Sequence, residues 1–159
     1  GGFDSDYGYL YEDMDISWRV WLAGHKVLYF SSLESVHMMS VTASSTYSPW
    51  RRQFMSKRNK MVTFLKNLEW FTLIRFSPII LMVLLVELII LKPKGAIFMG
   101  NINPFLNFKK ILKKRKEIKK FRKNTDKEIV VFFVSDHWKV IKRCIGSNLK
   151  FNTFLSKRN

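Results

Sequence analysis

Tyr11-Glu12-Asp13-Met14-Asp15-Ile16-Ser17-Trp18-Arg19 sets the reading of the whole chain. Glu12, Asp13 and Asp15 place three carboxylates within four positions. Acidic groups are favoured in a first helical turn, where backbone N–H groups are free and the helix dipole is positive. Ile16 and Val20 are four apart and Leu22 follows, giving one apolar stripe for a core. Gly24 marks the stop, because glycine takes the left-handed cap conformation without strain. Lys26 to Phe30, with Val27, Leu28, Tyr29 and Phe30 in a row, then reads as a short strand. Taken alone, an acidic helix start is an ordinary surface feature.

Beyond this unit, residues 38–49 are rich in Ser and Thr and end in Ser48-Pro49. That is a loop closing on an N-cap with Pro at the first helical position. A helix from Trp50 carries Trp50, Phe54, Met61, Leu65 and Leu68 on its apolar side. Arg51, Arg52, Lys57, Arg58 and Lys60 form its other face, read as solvated or as meeting phosphate or lipid headgroups. Residues 70–91 are the most apolar stretch, with Arg75 and Glu87 near its ends and Pro78 starting or kinking the helix. The length suffices for a span of about 20 residues. Basic flanks on both sides give no orientation, and in-plane or re-entrant attachment is preferred to one full crossing. Lys92-Pro93-Lys94-Gly95 and Asn101 to Pro104 read as turns.

Phe108 to Lys123 holds ten Lys or Arg in sixteen positions, with Phe108, Ile111, Ile118 and Phe121 on one side. A basic amphipathic helix of this kind suits an anionic membrane surface. Thr125-x-x-Glu128 has the capping-box form, and Val130 to Ile145 continues at helical spacing. Asp136-His137 is read as a polar helix face, and residues 147–159 as a basic end.

The chain has 159 residues and a formal net charge of +16 with 47% hydrophobic residues, which excludes a disordered basic tail. Charge and hydrophobicity together point to an anionic surface, either membrane or nucleic acid. No RNA-binding aromatic signature or zinc-finger spacing supports nucleic acid, and the acids at Glu12, Asp13 and Asp15 would repel phosphate. No nucleic acid is therefore expected as a partner. One cysteine, Cys144, rules out an intramolecular disulfide and a multi-cysteine zinc site. It reads as a small buried apolar residue.

Taken in order, Gly1-Gly2-Phe3-Asp4, Glu12-Asp13-Met14-Asp15, Ser17-Trp18-Arg19, Ala23-Gly24-His25-Lys26-Val27 and His37 form a longer pattern. The string resembles the C-terminal half of the catalytic domain of family-2 inverting glycosyltransferases, in the rhamnosyl- and galactofuranosyltransferase branch. The resemblance covers about residues 1–67, and the pairs Arg58-Asn59 and Lys66-Asn67 belong to it. It implies an α/β fold: the C-terminal part of a GT-A type nucleotide-sugar-binding domain over residues 1–68. A hydrophobic membrane-associated segment at 69–100 and a basic helical tail at 101–159 then form a mostly helical extension.

The resemblance also implies roles. Asp13 matches the general base that deprotonates the acceptor hydroxyl, a task for a carboxylate within hydrogen-bond reach. His37 matches the histidine that helps hold a divalent metal, Mg²⁺ or Mn²⁺. Gly1 and Gly2 match a pair whose backbone lies against bound sugar. Glu12, Asp15 and Arg19 are candidates for orienting the base, the acceptor or the diphosphate, and Trp18 for packing. Ser40 and Thr42 are candidate substrate contacts. The implied partners are a nucleotide-sugar donor, a glycan or lipid-linked acceptor and an anionic membrane surface at the cytoplasmic face. The family's Asp-x-Asp metal motif lies N-terminal to this region, and Asp4-Ser5-Asp6 matches a different position. The chain starts in mid-motif, so the expectation is a C-terminal fragment, inactive alone, with its other metal ligands in an N-terminal half. The alternative is a non-catalytic basic membrane-surface adaptor or a nucleic-acid-binding module.

Overall fold

The computed structural model describes residues 2–28, 30, 32 and 46–130. Six helices are found among them: α1 (Glu12–Leu22), α2 (Pro49–Asn67), α3 (Trp70–Ile90), α4 (Lys94–Leu106), α5 (Phe108–Phe121) and α6 (Asp126–Val130). No strand occurs among the described residues. This corrects the α/β expectation. Residues 25–28 run irregularly, with Val27 and Leu28 exposed. A β-prone run makes a strand only where a neighbour takes its backbone hydrogen bonds, and no described segment does so. The chain divides into a unit ending at Asp126 and a second from Lys127 to Asn159, of which only the α6 residues are described. The helix expected from Val130 to Ile145, Asp136-His137 and Cys144 otherwise lie outside the described residues.

α1 begins at the acidic cluster as expected and ends at Gly24, which has φ +80°. Residues after α5 close its C-terminus. Lys123 N and Asn124 N both donate to Leu22 O, at 2.7 and 3.1 Å, and Asn124 Nδ2 donates to Trp21 O at 2.9 Å. Those carbonyls would otherwise lack partners at the helix end. α2 begins as expected: Ser48 Oγ accepts from Arg51 N at 3.2 Å, with Pro49 in the first turn.

α2 is the central helix. Met61 and Leu65 join Leu73 of α3 and Ile111 of α5 in the core, with Phe64, Ile80, Leu84 and Phe108 packed around them. Of the basic face of α2, read as solvated or as meeting phosphate or lipid headgroups, Lys57 and Lys60 are buried, and so are Asn59, Lys66 and Asn67 of the same helix. On its other flank α2 meets α4. The turns expected at Lys94-Gly95 and at Asn101–Pro104 are helical instead, because Ala96, Ile97, Gly100, Asn101 and Pro104 form one buried stripe against α2. Pro78 neither starts nor ends α3. Its missing N–H would leave Ile74 O unpaired, and the Ser77 hydroxyl donates to that oxygen at 2.8 Å. α3 is long and apolar enough to cross a membrane. The apolar stripe of α5 is used inside the fold, with Ile111 and Ile118 buried.

Gly100 is where α2 and α4 come closest. A Cβ there would lie 2.6 Å from Phe54 O and 2.9 Å from Lys57 Cβ. Phe54 O belongs to the backbone, so it cannot swing aside. Gly100→Ala is expected to lower stability by about 1–3 kcal/mol through overpacking, read by denaturant unfolding. Gly95→Ala is the control, because its nearest neighbour is Trp50 Nε1 at 4.0 Å. It should be neutral or stabilising by up to about 1 kcal/mol.

Candidate functional site

The acidic start of α1 is delivered by the segment from Gly2 to Tyr11, which has no regular structure of its own. It is tied by turns: Tyr7 N donates to Asp4 O at 3.1 Å and Asp6 N to Asp4 Oδ1 at 3.1 Å. Leu10 and Tyr11 both have φ +68°, a left-handed conformation that costs side-chain-bearing residues energy. Something must hold them there, and it is α2. Asn59 Nδ2 lies 3.1, 2.7 and 2.8 Å from the carbonyl oxygens of Tyr7, Tyr9 and Leu10. Arg58 Nη2 donates to the carbonyls of Asp6 and Tyr7 at 2.8 and 3.1 Å, and Arg58 Nε donates to Asn59 Oδ1 at 2.9 Å.

Tyr7 is the apolar plug of this segment and is 1% exposed. Its hydroxyl is 2.7 Å from Thr63 Oγ1, and Thr63 donates to Asn59 O at 2.9 Å. Thr63 has a single hydroxyl proton, so Tyr7 is the donor of the pair. Burial, reinforced by the nearby Asp15 charge, raises the Tyr7 pKa well above the ordinary phenol value.

Beneath the segment lies a charged cluster. Lys66 Nζ is 2.5 Å from Asp4 Oδ2 and 2.9 Å from Asp15 Oδ1, and sits 4.6 Å above the centre of the Tyr7 ring. Asp15 is fully buried and also accepts from Arg19 Nε at 2.9 Å and Asn67 Nδ2 at 3.0 Å. Arg19 Nη2 donates to Gly2 O at 2.8 Å. From α5, Lys114 donates to both oxygens of Asp4, at 2.6 and 2.7 Å, and also pairs with Asp6, as does Lys110 at 2.7 Å. Burial pushes the Asp4 and Asp6 carboxyls up, but the surrounding ammonium groups outweigh it and hold both below the ordinary value.

The three acids at the start of α1 therefore have different surroundings. Asp13 is exposed, and its Oδ1 accepts from Met14 N at 2.7 Å. Glu12 is half-buried, and its Oε2 is buried without a hydrogen-bond partner among the described residues. Asp15 points inward, and with Arg19 it ties α1 to α2 and to Gly2. Trp18 packs, as expected, with its ring edge-on to Phe64 at 6.1 Å. A side chain at Gly2 would meet nothing within 4 Å. Gly1, His37, Ser40 and Thr42 lie outside the described residues. Among the described residues, no three His, Cys, Asp or Glu side chains gather to hold a metal ion.

Sequence reasoning passed over Tyr7 and Thr63, and it put Arg58 and Lys57 on an outer face. A signal was present: Asn59, Thr63, Lys66 and Asn67 recur at spacings of four, three and one, a polar stripe at helical period. In comparisons with protein-family models, curated proteins and solved structures, nothing matches this chain.

Two outcomes follow from the clamp. Asn59→Leu removes the amide from three backbone carbonyls at similar side-chain size. It should lower stability by about 1–3 kcal/mol and speed amide hydrogen exchange across residues 7–15. Acid should also loosen the segment. The Asp4 and Asp6 pKa values are lower folded than unfolded, so their pairing stabilises fully above the ordinary value of 3.8 and is lost as pH falls below it. Asp4→Asn should flatten the pH dependence of the melting temperature in that acid range.

Proposed function

We propose that this chain forms the acceptor side of an inverting, family-2-like glycosyltransferase, with Asp13 as general base. The observation that carries the reading is that Asp13 is the exposed acid of the three, on a helix start held by two charged or amide side chains of α2. A general base must be open to substrate and fixed in direction. In the proposed step the acceptor hydroxyl gives its proton to Asp13 as its oxygen attacks the anomeric carbon. The nucleoside diphosphate leaves with the bonding electron pair, and the configuration inverts. Arg58 and Asn59 are positioning residues, acting through the loop and not on the sugar.

The ordered string from Gly1 to His37 supports the family, and Arg58-Asn59 and Lys66-Asn67 gain a physical role in the same site. Donor binding and the Mg²⁺ or Mn²⁺ ligands beyond His37 are assigned to residues outside this sequence. The acceptor is a glycan or lipid-linked glycan, reached from the cytoplasmic face of a membrane. One observation favours a second reading, a non-catalytic membrane adaptor: α3 leaves most of its apolar surface uncovered.

The test uses the longest natural polypeptide that contains this sequence. Asp13→Asn should reduce sugar transfer by about 100-fold or more, with nucleotide-sugar binding unchanged. Near-normal turnover in that variant would remove Asp13 as the base. No transfer from any nucleotide sugar by the unaltered protein, with membrane binding intact, would favour the adaptor.

A further inference from the structure

α3 turns one narrow stripe inward: Leu73, Ile80, Leu84 and Glu87, at spacings of seven, four and three. Almost all of the rest is uncovered. Phe71 is 74% exposed and Ile89 72%. α4 packs beside it and continues the same chemistry. Its outer face carries Phe98, Met99, Phe105 and Leu106, all exposed, and residues 95–106 contain no charge. Contiguous apolar surface over two neighbouring helices exceeds what scattered exposed residues provide and marks an interaction face.

Two further observations say what covers it. First, both ends of α3 are bound to the same body. Leu73 packs on Met61, Leu65 and Ile111, whereas Glu87 receives Lys57 at 3.0 Å and Lys60 at 2.7 and 2.8 Å. Those residues are fourteen apart, about 21 Å along a helix. α3 lies along the body over that distance, so it could cross a bilayer only by taking α2 and its buried lysines with it. Second, the charge is placed at one side. Successive residues of α5 turn by about 100°. Phe108 and Arg115 face Trp70 at the start of α3, the guanidinium 4.0 Å above the Trp70 ring centre. Leu112, Lys116 and Lys119 come next on that side and are exposed. The other side holds Lys110 and Lys114, which are occupied by Asp4 and Asp6.

We infer that α3 and α4 seat the protein in one leaflet of an anionic bilayer, lying in its plane, with Lys116 and Lys119 at the rim against headgroup phosphates. Apolar side chains enter the acyl boundary and the lysine stems reach back to the charged layer. The seat is independent of sugar transfer and is read by lipid binding alone.

The experiment is cosedimentation of the full chain with phosphatidylcholine vesicles, with and without phosphatidylglycerol. Both should bind it, the anionic ones more tightly. Lys116→Gln with Lys119→Gln should weaken binding to the anionic vesicles by about 25-fold, at about fivefold per cation, and leave binding to neutral vesicles unchanged. Phe98→Ser with Phe105→Ser should weaken binding to both without moving the melting temperature. Unchanged binding in the phenylalanine variant would overturn the seat. So would a dimer in lipid-free solution that this variant dissociates while vesicle binding persists, since a second copy would then cover the face. Orientation is read in a Cys144→Ser background carrying Lys120→Cys, near the α5 end where Arg122 meets Asn67 just before α3, or Lys94→Cys, just after α3. A membrane-impermeant maleimide should label both from the same side of sealed vesicles, and labelling from opposite sides would mean a span.

Discussion

The ammonium of Lys66 is the charge on which the start of the chain depends. Its side chain is 2% exposed and lies between the carboxylates of Asp4 and Asp15. A lone ammonium in that position would be severely desolvated, and leaving either carboxylate unpaired there would cost several kcal/mol, on the order of 3–5. Here each charge has more than one partner. Asp15 carries the network into α1 through Arg19, Asp4 carries it into the irregular segment, and Lys114 brings in α5. The segment from Gly2 to Tyr11 has no sheet or helix to order it. Its backbone is fixed by side chains from elsewhere, which is how a strained pair such as Leu10 and Tyr11 persists.

What could be read from the sequence was what repeats locally. The limits of α1, the Ser48-Pro49 start of α2, the length of α3 and the apolar stripe of α5 all follow from spacing and caps. The polar stripe of α2 could not be read the same way. Lysine and arginine on a helix read as solvated unless a counter-charge is visible, and Asp4 and Asp15 stand some fifty or sixty residues away from Lys66 and Asn67. Asn59 was less legible still, because its partners are backbone carbonyls, which every residue has and no letter announces. The tail of α4 shows the opposite error. Asn101 to Pro104 has turn composition, yet Pro104 sits in the buried stripe of a helix because packing against α2 outweighs local propensity.

The strand expected at Lys26 to Phe30 failed for a reason that composition does not show. A helix satisfies its backbone within itself, so one segment is enough to predict it. A strand is a statement about two segments. One β-prone run among helical runs specifies half of a ladder, and among the described residues nothing supplies the other half. The site suffers less from this than the fold does. Asp13 stands at the start of α1, after a loop that α2 holds, and these three segments are described from Gly2 onward.

Glu87 joins the two halves of the molecule's chemistry. A carboxylate in an apolar helix is expensive unless it faces inward and is paired, and it does both, against Lys57 and Lys60. Those lysines flank Arg58 and Asn59, the two residues that hold the carbonyls of the acidic segment. One turn of α2 thus bonds on one side to the helix with the uncovered apolar surface and on the other to the loop that leads into α1. A displacement of α3 along its axis would break the Glu87 contacts and load the turn that fixes the loop. The uncovered apolar surface and the acidic helix start are in this way parts of one arrangement, because the same four consecutive residues, Lys57 to Lys60, serve both.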